Sequence, residues 1–209
     1  WEKLGLKSGG EYLQLNTNQL QLENEFYSSV RPKRVAATGE RPSKALKRGG
    51  VEYVELRVLD ISPFDPVGIN QAEIRFNEIY LAYCMLKDSP EINAAAQSRH
   101  QSNRAAVAGY GRKPGLCLEA DNGPISMKKW ALELLEDMLP IAELLDCNLG
   151  EDYRQALSAQ LAVARNIELT PSARMMDELR ESRLSFVEYG LQVAVTNRKY
   201  FLAQAPEHN

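Results

Sequence analysis

The sequence predicts an α+β protein, with a sheet-bearing first third and a helical remainder. Residues 12–30 and 51–59 alternate between apolar and polar side chains, the two-residue period of a strand. From Asn70 onward, apolar residues recur at helical spacing behind capping residues. Between the two alternating runs lies a strongly basic stretch that ends in Gly49-Gly50.

In the first run Leu20, Leu22 and Phe26 share one face, while Gln21, Glu23, Glu25 and Tyr27 share the other. Asn24 is the polar exception on the apolar side, and Asn16-Thr17-Asn18 supplies residues that tolerate a turn. In the second run Val54, Leu56 and Val58 oppose Tyr53, Glu55 and Arg57. Two such strands imply an antiparallel sheet with helices on its apolar side and an open polar side. Between them, Arg31, Lys33, Arg34, Arg41, Lys44, Lys47 and Arg48 face the single acid Glu40. Ser43 is placed to cap a short helix there that Gly49 ends.

Pro63, Pro66 and Gly68 punctuate a turn, and Asn70 with Glu73 starts a helix expected to reach Lys87. Its buried stripe is read as Ile74, Tyr80, Leu81, Cys84 and Met85. Residues 99–115 read as a polar loop with some helix before it, ending in GRKPG. Helices follow from Met127, broken at Pro140, and from Glu151 to Asn166. A last helix starts at Thr170-Pro171 and runs past Gly190. The expected division is a sheet-bearing part over 1–67 and a helical region over 68–209 packed on it.

With 209 residues and a net charge of −3, the chain carries no bulk electrostatic signal for nucleic acid or membrane. No apolar run reaches bilayer-spanning length, and the start does not read as a signal peptide. Cys84, Cys117 and Cys147 form no CxxC pair, which argues against a zinc site or disulfide framework. They read as core residues of a protein from a reducing, cytoplasmic compartment. The chain opens on Trp1 rather than Met, which suggests a fragment or processed piece.

For chemistry, the polar face bearing Tyr53, Glu55 and Arg57 beside Glu23, Glu25 and Tyr27 is the strongest constellation. One reading is a wet sheet face with cross-strand ion pairs. The other is a nucleotide site, since carboxylates take Mg²⁺ and arginines grip phosphate. The basic loop has no Walker-type glycine pattern and no interleaved aromatics for RNA stacking. His100 and His208, the two histidines, suggest no catalytic base.

The runs LQLNTNQLQLENEFYSSVRPKR and GERPSKALKRGGVEYVELRVLDISPFDPVGIN, with GRKPG at 111–115 and SAR at 172–174, resemble the glutamate–cysteine ligases of the γ-proteobacterial type. That resemblance implies a glutamine-synthetase-like fold with a curved antiparallel sheet whose polar face holds substrates and Mg²⁺. It implies ATP-dependent phosphorylation of the glutamate γ-carboxylate, followed by attack of the cysteine amine. Glu55 matches a metal-liganding glutamate, Arg57 the arginine at the transferred phosphoryl group, and Tyr27 a tyrosine of the cysteine pocket. Arg31 and Lys33 are phosphate-binding candidates by proximity, and Glu23 and Glu25 candidates near the metal. The expected partners are glutamate, cysteine, ATP and the family's longer N-terminal segment, which holds most of the metal carboxylates. Without that segment the chain is expected to be inactive. A non-catalytic binding or regulatory module of the same fold is the alternative.

Overall fold

In the computed structural model of the chain, the described residues are Lys3, 5–15, 28–147 and 150–204. The proposed turn at 16–18, and Leu20, Leu22, Glu23, Glu25, Phe26 and Tyr27, lie outside them. The chain forms two compact units, Trp1–Asp60 and Ile61–Asn209.

In the first unit, β1 (Lys7–Ser8) pairs antiparallel with β2 (Glu11–Tyr12), and β3 (Val30–Lys33) with β4 (Tyr53–Leu56). Arg57 N donates to Ser29 O at 2.8 Å and Glu52 N to Lys33 O at 2.8 Å, so pairing runs on at both ends of the β3–β4 ladder. Helix α1 (Pro42–Gly49) connects the two strands. Its N-cap is Arg41, without a side-chain cap, and Ser43 lies inside the first turn instead. Pro42 at the first helical position explains the shift, because its fixed φ suits that position. On the apolar side of the strand series, Val54 and Val58 are 43% and 54% exposed.

The second unit holds the main core. Helix α2 (Gln71–Leu86) starts at the predicted capping box: Glu73 N donates to Asn70 Oδ1 and Asn70 N to Glu73 Oε2. Its buried residues are Ile79 and Tyr83, while Ile74, Tyr80 and Met85 are exposed. The predicted stripe was therefore on the wrong side. Ile79 and Tyr83, one turn apart, meet Met138 and Ala142 and also Leu157 and Leu161.

Helix α3 (Ala94–Tyr110) replaces most of the expected loop over 99–115. Asn93 caps it by accepting from Ala96 N, and the alanine-rich sequence favours helix despite its polar residues. A hairpin that periodicity did not reveal follows, β5 (Cys117–Ala120) with β6 (Gly123–Ser126). Gly123 takes a φ of 106° just after Asp121-Asn122, a conformation that favours glycine. Asn103 of α3 donates to Glu119 O and accepts from Glu119 N, both at 2.8 Å. One amide side chain thus occupies both backbone groups of a residue in β5, as a neighbouring strand would.

Helix α4 (Met127–Asp137) ends at Met138, and α5 (Leu139–Leu145) carries Pro140 in its first turn, so the break falls where proline requires it. Helix α6 (Asp152–Arg165) follows, and α7 (Pro171–Ser182) starts at its Thr170 cap. The expected continuous last helix is divided. Arg183 turns left-handed with φ of 56°, and α8 (Phe186–Gln204) begins afresh. Ser185 and Glu188 are the reason: Ser185 N and Oγ donate to Glu188 Oε2, and Glu188 N donates to Ser185 Oγ. This is a capping box, legible in the sequence as S-x-x-E.

Candidate functional site

The strand register sorts the predicted residues. Arg31 pairs with Glu55 and Lys33 with Tyr53, while Val30 pairs with Leu56 and Pro32 with Val54. Alternation therefore puts Arg31, Lys33, Tyr53 and Glu55 on one side of the strand pair, with Arg57 continuing that series. Lys33 Nζ lies 3.2 Å from Glu55 Oε2. The described part of this face is thus cationic, three positive side chains to one carboxylate.

The rest of the basic stretch is knitted into local structure. Arg34 Nε donates to Gly50 O at 2.7 Å, its Nη2 donates to Gly49 O, and its Nη1 lies 3.6 Å from Glu52 Oε2. The guanidinium thereby meets carbonyls at the C-terminal end of α1, where the helix dipole favours a cation. A Cβ on Gly49 would lie 2.6 Å from Arg34 Cζ, so the glycine makes room for this contact. Arg48 grips Glu40 through two nitrogens, at 3.1 and 3.0 Å, and Ala37 N donates to the same carboxylate. The Arg48 hydrogen bonds, then the Ala37 amide, hold the Glu40 carboxyl down at about 2. Among the described residues Arg41, Lys44 and Lys47 form no ion pair.

Sequence reasoning grouped all seven cations as one loop. The structure gives Lys33, Arg34 and Arg48 acidic partners at 55, 52 and 40. Glu52 is the residue that reasoning missed, and its signal was only its position just beyond the loop.

Other quoted motifs form joints within the second unit. Arg174 of SAR stacks 3.7 Å over the Phe64 ring of SPFDP, and its Nε donates to Glu178. Arg112 of GRKPG donates to Glu168 Oε2 at 3.1 Å. Cys84, Cys117 and Cys147 are free and exposed, not the core residues expected.

Glu55 is a hard oxygen donor of suitable chemistry, but Mg²⁺ asks for octahedral coordination. Among the described residues no three His, Cys, Asp or Glu side chains gather to hold a metal. Glu55 alone, beside Lys33, does not make a magnesium site.

An antiparallel strand pair with a charged face, joined in sequence to a helical unit, defines an α+β chain with a polar strand surface. Residues 1–107 match the family described as glutamate–cysteine ligase, and the chain belongs to that family. The glutamate–cysteine ligase of Pseudomonas fluorescens is 46% identical over 203 residues, covering 97% of this chain and 38% of the relative. A solved glutamate–cysteine ligase from Francisella tularensis, in complex with AMP, is 36% identical with a TM-score of 0.81. That match covers 96% of this chain and 40% of the other. A bifunctional glutathione synthetase from Pasteurella multocida shares the fold, with a TM-score of 0.63 at 18% identity over 85% of this chain and 22% of the other. The chain therefore spans well under half the length of these proteins.

Proposed function

We propose that this chain is a segment of an ATP-dependent glutamate–cysteine ligase and contributes the strand face bearing Glu55 and Arg57 to its active site. Family membership over residues 1–107 is the observation that carries this reading. The AMP bound to the Francisella relative supports nucleotide use. In the reaction, a γ-carboxylate oxygen of glutamate takes the γ-phosphoryl group and ADP leaves. The cysteine nitrogen then attacks the acyl carbon, phosphate leaves, and the amine loses a proton.

Arg57 stabilises charge on the phosphoryl group in flight, which a fixed guanidinium does best in a preorganised site. Arg31 and Lys33 add phosphate-facing charge from the neighbouring strand, and Tyr27 offers its phenol to the cysteine substrate. Glu55 would hold Mg²⁺ through one carboxylate oxygen only together with further ligands, and the ion would neutralise phosphate charge there. The sheet is the edge of a glutamine-synthetase-like catalytic fold, and the alternative of a non-catalytic module is not favoured by the named relatives.

Because half a charge-stabilising site does not position a phosphoryl group, the 209-residue chain by itself should be inactive. Phosphate release is measured with ATP, Mg²⁺, glutamate and cysteine, first with this chain and then with a chain of the relatives' full length that contains it. The expected outcome is turnover only by the longer chain. Sustained turnover by both would show a self-contained site, and turnover by neither would remove the ligase reading.

A further inference from the structure

Arg34 and Glu52 stand where the chain leaves β3 and where it enters β4, next to Lys33 and Tyr53. Between them runs the excursion that carries α1. The Arg34 side chain, 25% exposed, joins the end of that excursion to both strands. Its Nε donates to Gly50 O at 2.7 Å, its Nη2 donates to Gly49 O, and its Nη1 lies 3.6 Å from Glu52 Oε2. Glu52 Oε2 also accepts from Val35 N at 3.2 Å, so this one carboxylate on the β4 side grips the chain just past β3. A planar fork of donors makes such a joint, and the point charge of a lysine does not reproduce it. Gly49 is part of the joint: a Cβ there would lie 2.6 Å from both Arg34 Cζ and Arg34 Nε.

What the joint controls is register. A slip of one residue in an antiparallel pair turns every side chain of the slipped strand to the other side. Arg31 sits opposite Glu55 and Lys33 opposite Tyr53, and that alignment gathers Arg31, Lys33, Glu55 and Arg57 on one side. A slip would take Glu55 and Arg57 away from Arg31 and Lys33. The joint grips the two residues adjoining Lys33 and Tyr53, the pair at that end of the ladder. Resting on the ligase reading of this face, we infer that Arg34 is a positioning residue for phosphoryl transfer. Its guanidinium, seated where Gly49 has no side chain and drawn to Glu52, holds the β3–β4 alignment on which the charged face depends.

The test uses a full-length ligase carrying this segment. For each variant, kcat for γ-glutamylcysteine formation is read well below the thermal midpoint, with the midpoint itself and hydrogen–deuterium exchange of peptides covering β3 and β4. Gly49→Ala separates positioning from stability. Alanine is the better helix former, so α1 gains, while the guanidinium has to leave its seat. Its kcat should fall about 10-fold or more, because a displacement of about 1 Å remote from the chemistry can cost about 10²-fold. Exchange over β3 and β4 should quicken, and the midpoint should hold. Arg34→Ala should lose at least as much kcat, and Arg34→Lys, which keeps a cation near Glu52, should recover part of it. Unchanged kcat and exchange in Gly49→Ala overturn the inference, as does a kcat loss that merely tracks a lowered midpoint. Arg57→Ala is assayed in parallel. If it costs turnover and Gly49→Ala does not, the inference fails and the reading of the face stands. If Arg57→Ala leaves turnover normal, that reading fails and the inference with it.

Discussion

The β3–β4 strand pair and the α2–α5–α6 core are built from opposite materials. Within the strand pair no side chain of Val30–Lys33 or Tyr53–Leu56 is fully buried, and the contacts are backbone pairing and ion pairs such as Lys33 with Glu55. In the helical unit Ile79, Ala142 and Leu157 are 0% exposed, and Met138 2%. Exposed ion pairs contribute about 0–1 kcal/mol each, whereas a buried leucine contributes several times that. The polar strand face is therefore free to be chosen for chemistry, because stability does not rest on it. The helical unit has no such latitude.

The largest expected effect lies in the core. Leu157→Ala should destabilise the helical unit by about 2–5 kcal/mol, the usual cost of a lost leucine and the cavity it leaves. Chemical denaturation followed by circular dichroism measures it. A loss below about 1 kcal/mol would mean that α6 is not the keystone its burial indicates.

On the strand side, Glu55→Gln in a full-length ligase carrying this segment should raise the Mg²⁺ concentration for half-maximal activity. A shift of at least about 10-fold is expected, comparable to disturbing a metal's supporting shell. The thermal midpoint should hardly change. A magnesium titration that overlays the wild type would remove Glu55 from the metal's ligands.

The smallest effect is on pH dependence in the basic stretch. Folding holds the Glu40 carboxyl at about 2, below its ordinary 4.5, so the contact with Arg48 stabilises fully above about 4.5. That stabilisation drains away as the pH falls toward 2. Asp146 acts in the same direction. Burial raises its pKa, but hydrogen bonds from the Tyr153 and Arg154 amides and the Arg154 side chain outweigh this, and the net shift is downward. Glu40→Gln should therefore lose less of its thermal midpoint than the wild type between about pH 6 and about pH 3. Parallel acid curves would show that the Arg48 contact does not survive in solution.

How much of this was legible in the sequence differed between the same two regions. Alternation over 51–59 placed Tyr53, Glu55 and Arg57 on one side, and the register with Val30–Lys33 agrees, because a two-residue period leaves a strand no other choice. The Asn70 capping box was equally plain. The α2 stripe was not, since a helix with apolar residues on several sides does not show which side a distant α6 will cover. The division at Arg183 had a signal in Ser185 and Glu188, overlooked because the helical pattern continues through it. The fates of Lys33, Arg34 and Arg48 depended on carboxylates brought near by folding, which composition does not encode. The roles of Tyr27, Arg31, Lys33, Glu55 and Arg57 in the reaction came from family resemblance and not from spacing.

The division of labour between strand face and helical core is tested most directly by one paired measurement on Arg57→Ala in a full-length ligase carrying this segment. γ-Glutamylcysteine formation and the thermal midpoint are read on the same preparation. Turnover should fall by about 10²-fold or more, as for the loss of one charge-stabilising contact, while the midpoint stays at the wild-type value. Near-normal turnover, or a rate loss that merely follows a lowered midpoint, would contradict the account.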